Sequence, residues 1–429
     1  MVRFLLRFAL GIYRSIALRV LTLRRRFSGT AGTVAEERVL SGQAWDEFCD
    51  TLKAAGAALT APGAPRDAFN QAEGYRYLAR LARAGLENFV ECADPEAPQL
   101  CAIANGSRAA RICIGSDNPD NLYENATLDG TLEYIVRGVR GTVGYLGLGT
   151  QTGRYGGKGG LSTVDYLEAE QLVYDEGSAA VAEADRSFTV VLSAVRPAGA
   201  SNWLRLTPEP REAMFIVRQT FGDRRSEVAA RLSISCRHAG EGVEGGGAPS
   251  RLTAEKLDEG LQAAAVLAAG ASAMFCKWAY GFQAHTNELP LFDQLRSNKA
   301  GGDPNIRYYH SAWRLGPGEV LRIRARPAPC RAWNFQLNNH WMESLDYRYH
   351  NVHTNSTLAR PDDDDDASYT ILVAHDDPNA DGCFRGNWIQ TTGHECGTMC
   401  FRWIAPRVPD DQLVHPKTDV CTLDALMAC

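Results

Sequence analysis

The chain states one pattern twice, far apart. Ser187-Phe188-Thr189-Val190-Val191-Leu192 precedes Asn202-Trp203-Leu204 and then Met214 with Arg218, while Ser368-Tyr369-Thr370-Ile371-Leu372-Val373 precedes Asn387-Trp388-Ile389 and then Met399 with Arg402. Trp203 to Met214 and Trp388 to Met399 are equally spaced. A duplicated strand, Asn-Trp turn and second strand predicts two related β-modules, and the wide separation of the copies excludes a solenoid, whose period is far shorter. The duplication speaks to architecture and is silent on chemistry.

Around the two copies the reading is a mainly β protein with helical additions. It has two related antiparallel β-sandwich modules of jelly-roll type, an N-terminal helical segment and a long helix between the modules. The division is a leader over 1–35, a helical segment over 36–110 and a first β-module over 111–239. A linker with the long helix follows over 240–300, and the second β-module covers 301–429. Trp45, Phe48, Leu52 and Leu59 recur at helical spacing, and Asp67 is placed to cap a second helix with Phe69, Leu78, Leu81 and Phe89 on its apolar stripe. Leu257, Leu261, Ala264, Ala268, Phe275, Trp278 and Phe282 draw the long helix, whose Ala-rich middle permits close approach of a neighbour.

The leader is a different polymer from the rest. Met1 to Ala35 has no acidic residue, and Arg3, Arg7 and Arg14 share one helical face opposite an apolar one. This suits an amphipathic targeting helix, mitochondrial or for another organelle, with Arg24-Arg25-Arg26-Phe27-Ser28 resembling a matrix-protease cleavage site. The same helix offers peripheral contact with a membrane surface. A secretory signal-anchor is the alternative, since Asn105, Asn125 and Asn355 open glycosylation sequons, but three are about what chance supplies. The net charge of −6 shows no basic stripe, which excludes nucleic acid as a partner.

The strictly alternating segment Trp333-Asn334-Phe335-Gln336-Leu337-Asn338 places Trp333, Phe335 and Leu337 on a core face and Asn334, Gln336 and Asn338 on the other. Three consecutive amides suit an oxygen-rich ligand. A solvated face or an amide ladder between strands explains them more simply, with no ligand. Downstream stand His340, Trp341, Glu343, Asp346, Arg348 and His353, and seven of the nine histidines fall between His310 and His415. Imidazole beside carboxylate is the raw material of acid-base chemistry, so His340, Glu343, Asp346 and His353 are the catalytic candidates. Asn334, Gln336, Asn338, Trp341, Arg348 and Arg402 are the ligand-binding candidates.

Other signals carry less. The twelve cysteines are scattered without a dense framework, and Cys383, His394, Cys396 and Cys400 as zinc ligands are set aside because Cys400 sits in an apolar strand pattern. Gly147, Gly149, Gly153 and Gly156 to Gly160 lack the Ser or Thr and the helix of a phosphate loop, and read as a hairpin. Asp362 to Asp366 reads as a solvated loop. No metal and no cofactor is assigned.

Trp333-Asn334-Phe335-Gln336-Leu337, Gly386-Asn387-Trp388 and Gly397-Thr398-Met399-Cys400-Phe401-Arg402-Trp403, supported by Asp117-Asn118-Pro119-Asp120-Asn121 and Gly141-Thr142-Val143, resemble bacterial and algal proteins that bear domain of unknown function 1214, often coupled to the related domain 1254. The resemblance covers nearly everything after Ala44. It implies a jelly-roll-like sandwich with helical additions and no particular reaction. The basic leader, the aspartate run and the many cysteines depart from the bacterial pattern and point to a eukaryotic organellar version. The expectation is therefore an organellar protein whose second module binds, and by hydrolysis or lyase chemistry processes, a small oxygen-rich molecule. The alternatives are a noncatalytic accessory subunit of an organellar membrane complex, and a carbohydrate-binding module with exposed Trp341 and Tyr347 stacking on sugar rings. Whether the chain is an enzyme stays open at this stage.

Overall fold

Alternating apolar runs condense into two sandwiches of the same design. In this computed structural model residues 12–14, 16–20, 32–104, 112–154, 161–177, 181–237, 249–299, 303–365, 367–378 and 386–427 are described. The earlier strands are β1 (Cys101–Ala104), β2 (Asn121–Asp129), β3 (Glu133–Val139), β4 (Tyr145–Thr152), β5 (Ser162–Glu168), β6 (Ser187–Ser193), β7 (Asn202–Arg205), β8 (Glu212–Thr220) and β9 (Arg231–Arg237). The later ones are β10 (Ile306–Arg314), β11 (Glu319–Ala325), β12 (Ala332–Asn338), β13 (His353–Asn355), β14 (Tyr369–Ala374), β15 (Asn387–Gln390), β16 (Cys396–Ile404) and β17 (Lys417–Thr422).

The first module stacks a sheet of order β1-β2-β8-β4-β5 on one of order β7-β6-β3-β9, and the second stacks β10-β16-β12-β13 on β15-β14-β11-β17. Apart from β1, adding eight to each strand of the first pair of sheets reproduces the second. Both copies include the same rare element, a parallel pair inside an otherwise antiparallel sheet, β6 with β7 and β14 with β15. Each module has its own core: Leu148, Phe188, Val190 and Phe215 in the first, Trp313, Phe335, Phe401 and Trp403 in the second.

The Asn-Trp turn is explained by backbone satisfaction. Asn202 accepts from the Val173 N–H at 2.8 Å and donates to the carbonyls of Val173 and Thr189, while Asn387 accepts from the Arg360 N–H at 2.7 Å and donates to those of Arg360 and Thr370. Each amide stitches an incoming loop to the sheet edge. The equal Trp to Met spacing does not survive as an equivalence. Arg218 lies opposite Tyr123 as Arg402 lies opposite Tyr308, so the arginines correspond and the second connection is one residue shorter. Side chains alternate along a strand, so this slip turns Met214 away from its core while Met399 points into its own.

The longer helices are α1 (Val34–Ser41), α2 (Gln43–Ala55), α3 (Ala68–Leu86) and α4 (Ala254–Phe282). Asp67 caps α3 by accepting from the Asn70 N–H at 2.9 Å, and Thr253 caps α4 from the Lys256 N–H at 3.2 Å. Trp45 and Phe69 depart from the expected stripes, being 54% and 47% exposed. Over its most apolar window α4 has the composition of a membrane span, yet 56% of that window is buried against the rest of the protein. It crosses α3 closely, since a Cβ on Gly85 would come within 2.7 Å of the Ala264 backbone. Gly85→Val should therefore lower stability by about 1–3 kcal/mol in urea unfolding; wild-type stability would refute the tight crossing.

Of the leader, residues 12–14, 16–20 and 32–35 are described, the first two stretches helical and with Arg14 paired to Asp46 at 2.7 Å; the cleavage-like arginine run lies outside the described residues. So do the connector Gly240 to Gly247, the hairpin tip 155–160 and the sequon Asn105.

Candidate functional site

The amide row faces away from the second core, as its alternation predicts, but no open cleft lies over it. The segment around Asp117 to Asn121, coming from the edge of the first module, is laid across it. Asn334 donates to Asn118 Oδ1 at 2.6 Å and Asp120 Oδ2 at 3.1 Å, Gln336 donates to the Asp117 carbonyl at 2.8 Å, and Asn338 donates to Ser116 Oγ at 3.0 Å. Arg402 runs beneath them, donating to Gln336 Oε1 and the Ser116 carbonyl, its guanidinium 5.7 Å from the Tyr308 ring. Asp117 accepts from the Ser344 N–H at 2.9 Å and the Ser344 hydroxyl at 2.6 Å. Asp120 takes Asn355 at 3.0 Å and His353 at 3.1 Å. Asn334, Gln336, Asn338 and Arg402 are all buried. Buried polar groups must be hydrogen-bonded, and these bond one another across the seam between modules.

The expectation of one cleft shared by the candidates is corrected: the structure distributes them among separate places. His353 belongs to the seam through Asp120. Trp341, expected to be exposed for sugar stacking, is fully buried; its indole N–H donates to the Asn70 carbonyl at 2.9 Å and its ring presses on Gly74 of α3. Glu343 is buried, ion-paired to Arg80 of α3 at 2.6 Å and bonded by Asn339 at 2.9 Å. Asp346 and Arg348 pair with each other at 2.7 Å.

The remaining motifs also resolve into structure. A Cβ on Gly147 or Gly149 would strike the Tyr166 ring or its hydroxyl, so these glycines make room for an aromatic on the antiparallel neighbour β5. The zinc candidates point to different places: His394 bonds Glu73 at 2.6 Å, Cys400 lies 3.9 Å from His310, and Cys383 lies outside the described residues. Asp365 pairs with Arg326 and Asp363 with Arg360 in the loop before β14. Asn125 and Asn355, the sequon asparagines that are described, are buried and hydrogen-bonded.

One candidate does face open space. His340, in the turn after β12, lines a cavity of about 240 Å³ between the 63–65 turn, the end of α4 and the adjoining ends of β10 and β16. Gln283, Thr286, Arg314 and Cys396 share the lining. The imidazole is held edge-on against Trp341, with centroids 4.9 Å apart, and neither ring nitrogen has a hydrogen-bond partner among the described residues. Burial, reinforced by the charge of Arg314, pushes its pKa down to about 4. The Arg314 guanidinium in turn has no ion pair among the described residues. Sequence reasoning missed Arg314, Gln283 and Thr286, because nothing in local spacing brings a strand end and a helix end together.

Fold and site together define a tandem β-sandwich protein whose second module is capped by helices and by a loop from the first. The chain belongs to the family described as protein of unknown function (DUF1214), which matches residues 320–408, from β11 through the amide row and Arg402. A crystal structure of an uncharacterised protein from Burkholderia cenocepacia is 42% identical, covers 91% of this chain and 99% of its own, and superposes with a TM-score of 0.77. A protein from Vibrio parahaemolyticus is 13% identical with a TM-score of 0.43, covering 87% of this chain and 99% of its own. No curated protein matches.

Proposed function

We propose that the protein binds a small, oxygen-rich anion in the cavity beside His340. The observation that carries this reading is a neutral, unpartnered imidazole facing the same space as an unpaired guanidinium. Such a site has hydrogen-bonding capacity and positive charge with no protein group to consume them. Its volume of about 240 Å³ lies below the usual range for drug-sized ligands and suits a short carboxylic acid or a similar oxyanion. Gln283 and Thr286 supply further polar atoms at the rim. Among the catalytic candidates only His340 reaches this space, which makes its imidazole the candidate base there.

Binding an anion favours the imidazolium, so His340 takes up a proton as the ligand enters. The free site titrates near about 4 and the occupied one higher, with Arg314 opposing and the Cys396 thiol, itself pushed up by burial, adding no charge at neutral pH. Affinity should therefore rise as pH falls, by up to about tenfold per pH unit below the pKa of the complex. Calorimetry with a panel of short mono- and dicarboxylates between roughly pH 7 and pH 5 tests both the ligand class and the coupling. Arg314→Gln should abolish binding, and His340→Gln should remove its pH dependence. A panel without heat or thermal shift at any pH would sink the reading.

A further inference from the structure

We propose that the N-terminal helix holds the protein to anionic membrane surfaces, lying along the interface with its apolar face in the lipid. Over the described residues 12–14 and 16–20 this helix sits on the junction of α1 and α2 the opposite way round from a core helix, with charge inward and apolar side chains outward. The Arg14 guanidinium pairs with Asp46 at 2.7 Å and donates to the Gly42 carbonyl at 3.3 Å. Gly42 leaves room for it, since a Cβ there would stand 2.7 Å from the guanidinium and 3.5 Å from Leu18 Cδ1. Arg14 and Leu18, four residues apart, thus form the stripe that docks on the folded body.

Ile12, Ile16 and Val20 repeat at the same interval on the opposite side of the helix. They are 48%, 59% and 44% exposed, and Tyr13 beside them is 73% exposed. Leu40 and Trp45, on either side of Gly42 in sequence, are exposed as well. Large apolar side chains gathered on one face are unfavourable in water, and a surface that covers them recovers that free energy. Charge selects the cover. Met1 to Ala35 carries seven arginines and no acidic residue, against a net charge of −6 for the whole chain. A second copy of this chain would bring the same arginines to the contact, whereas an anionic lipid surface attracts them. Arg19 is exposed beside Val20, at the edge of the apolar stripe, where it meets headgroup phosphates. An apolar stripe flanked by arginine and an aromatic ring is the composition of an interfacial helix. Because the folded body grips Arg14, the contact fixes one orientation, with the α1–α2 junction toward the membrane.

The full chain is mixed with phosphatidylcholine vesicles, with and without an equal part of phosphatidylglycerol, and bound protein is separated by flotation. Binding is expected to the anionic vesicles and to fall steeply as salt is raised to about 0.5 M. Ile16→Asp should lower the partition coefficient about tenfold or more, the scale of withdrawing a large aliphatic side chain from the apolar phase. Arg19→Gln should lower it about fivefold, the effect of one basic residue near an anionic surface. Both positions are exposed in the free protein, so the urea midpoint of each variant should match wild type. Absence of binding to the anionic vesicles overturns the proposal, as does equal, salt-independent binding to both kinds. Binding unchanged by either substitution would place the contact elsewhere on the molecule and overturn it too. A wild-type dimer that Ile16→Asp dissociates, without lipid binding, would assign the face to a second copy instead.

Discussion

Arg402→Met should cost about 3–5 kcal/mol of stability, the range for removing one member of a buried, hydrogen-bonded ionic network. The guanidinium donates to Gln336 Oε1 and the Ser116 carbonyl, reaching Asn334 Oδ1 at 3.4 Å, and no water replaces it without reopening the seam. Those oxygens belong to both modules, so the loss falls on their attachment as much as on the second sandwich. Urea unfolding followed by tryptophan fluorescence measures the total, and proteolysis between the modules locates it. A cycle with Asn118→Ala tests the coupling: the two losses should be less than additive, because Asn334 touches both partners. A variant within about 1 kcal/mol of wild type would show that solvent already enters the seam.

His310 should make the protein acid-labile in a defined window. The ring lies between Phe282 and Tyr308, nearly parallel to both at 5.3 and 5.5 Å, with Nδ1 unpartnered. Burial, with Arg402 adding repulsion, pushes its pKa down to about 3 from the ordinary 6.5. Between these values the unfolded chain binds a proton that the folded one refuses. The stability the neutral ring permits is thus complete above pH 6.5 and shrinks as pH falls toward about 3, at up to about 1.4 kcal/mol per pH unit. Urea midpoints at neutral pH and at successive steps below it measure the slope. His310→Phe should flatten it by close to one proton, leaving the contributions of His340, pushed down to about 4, and of carboxylates such as Glu73 and Asp129 that their partners hold below the ordinary range. An unchanged slope in His310→Phe would mean that the buried ring accepts its proton in the folded state.

Much of the fold was legible because periodicity is a local property. The alternation through β12 assigned Trp333, Phe335 and Leu337 to the core and the amides to the opposite face, and the paired Asn-Trp turns announced the duplication. Two kinds of element escaped. β2, with Asn121, Glu124, Asn125 and Thr127 among its residues, carries too many polar side chains to read as a strand, because helix and seam cover its outer face. The one-residue difference between the copies escaped as well. Matching Met214 to Met399 looks correct in sequence and is wrong in space, since only the ladder opposite Tyr123 and Tyr308 reveals which residues correspond.

The candidate site divides along the same line. Residue types alone identified a polar face and a histidine-rich stretch in the second module, since amide spacing in one strand settles which side chains share a side. What those groups meet is set by chain segments more than two hundred residues away. Asn118 and Asp120 close the amide row, Asn70 and Gly74 bury Trp341, and Arg80 claims Glu343. Local sequence determined the strands, the repeat and the faces. Tertiary packing decided that the amides bond protein and that His340 faces a cavity, because the partners that satisfy or spare a buried polar group arrive only when distant segments pack together.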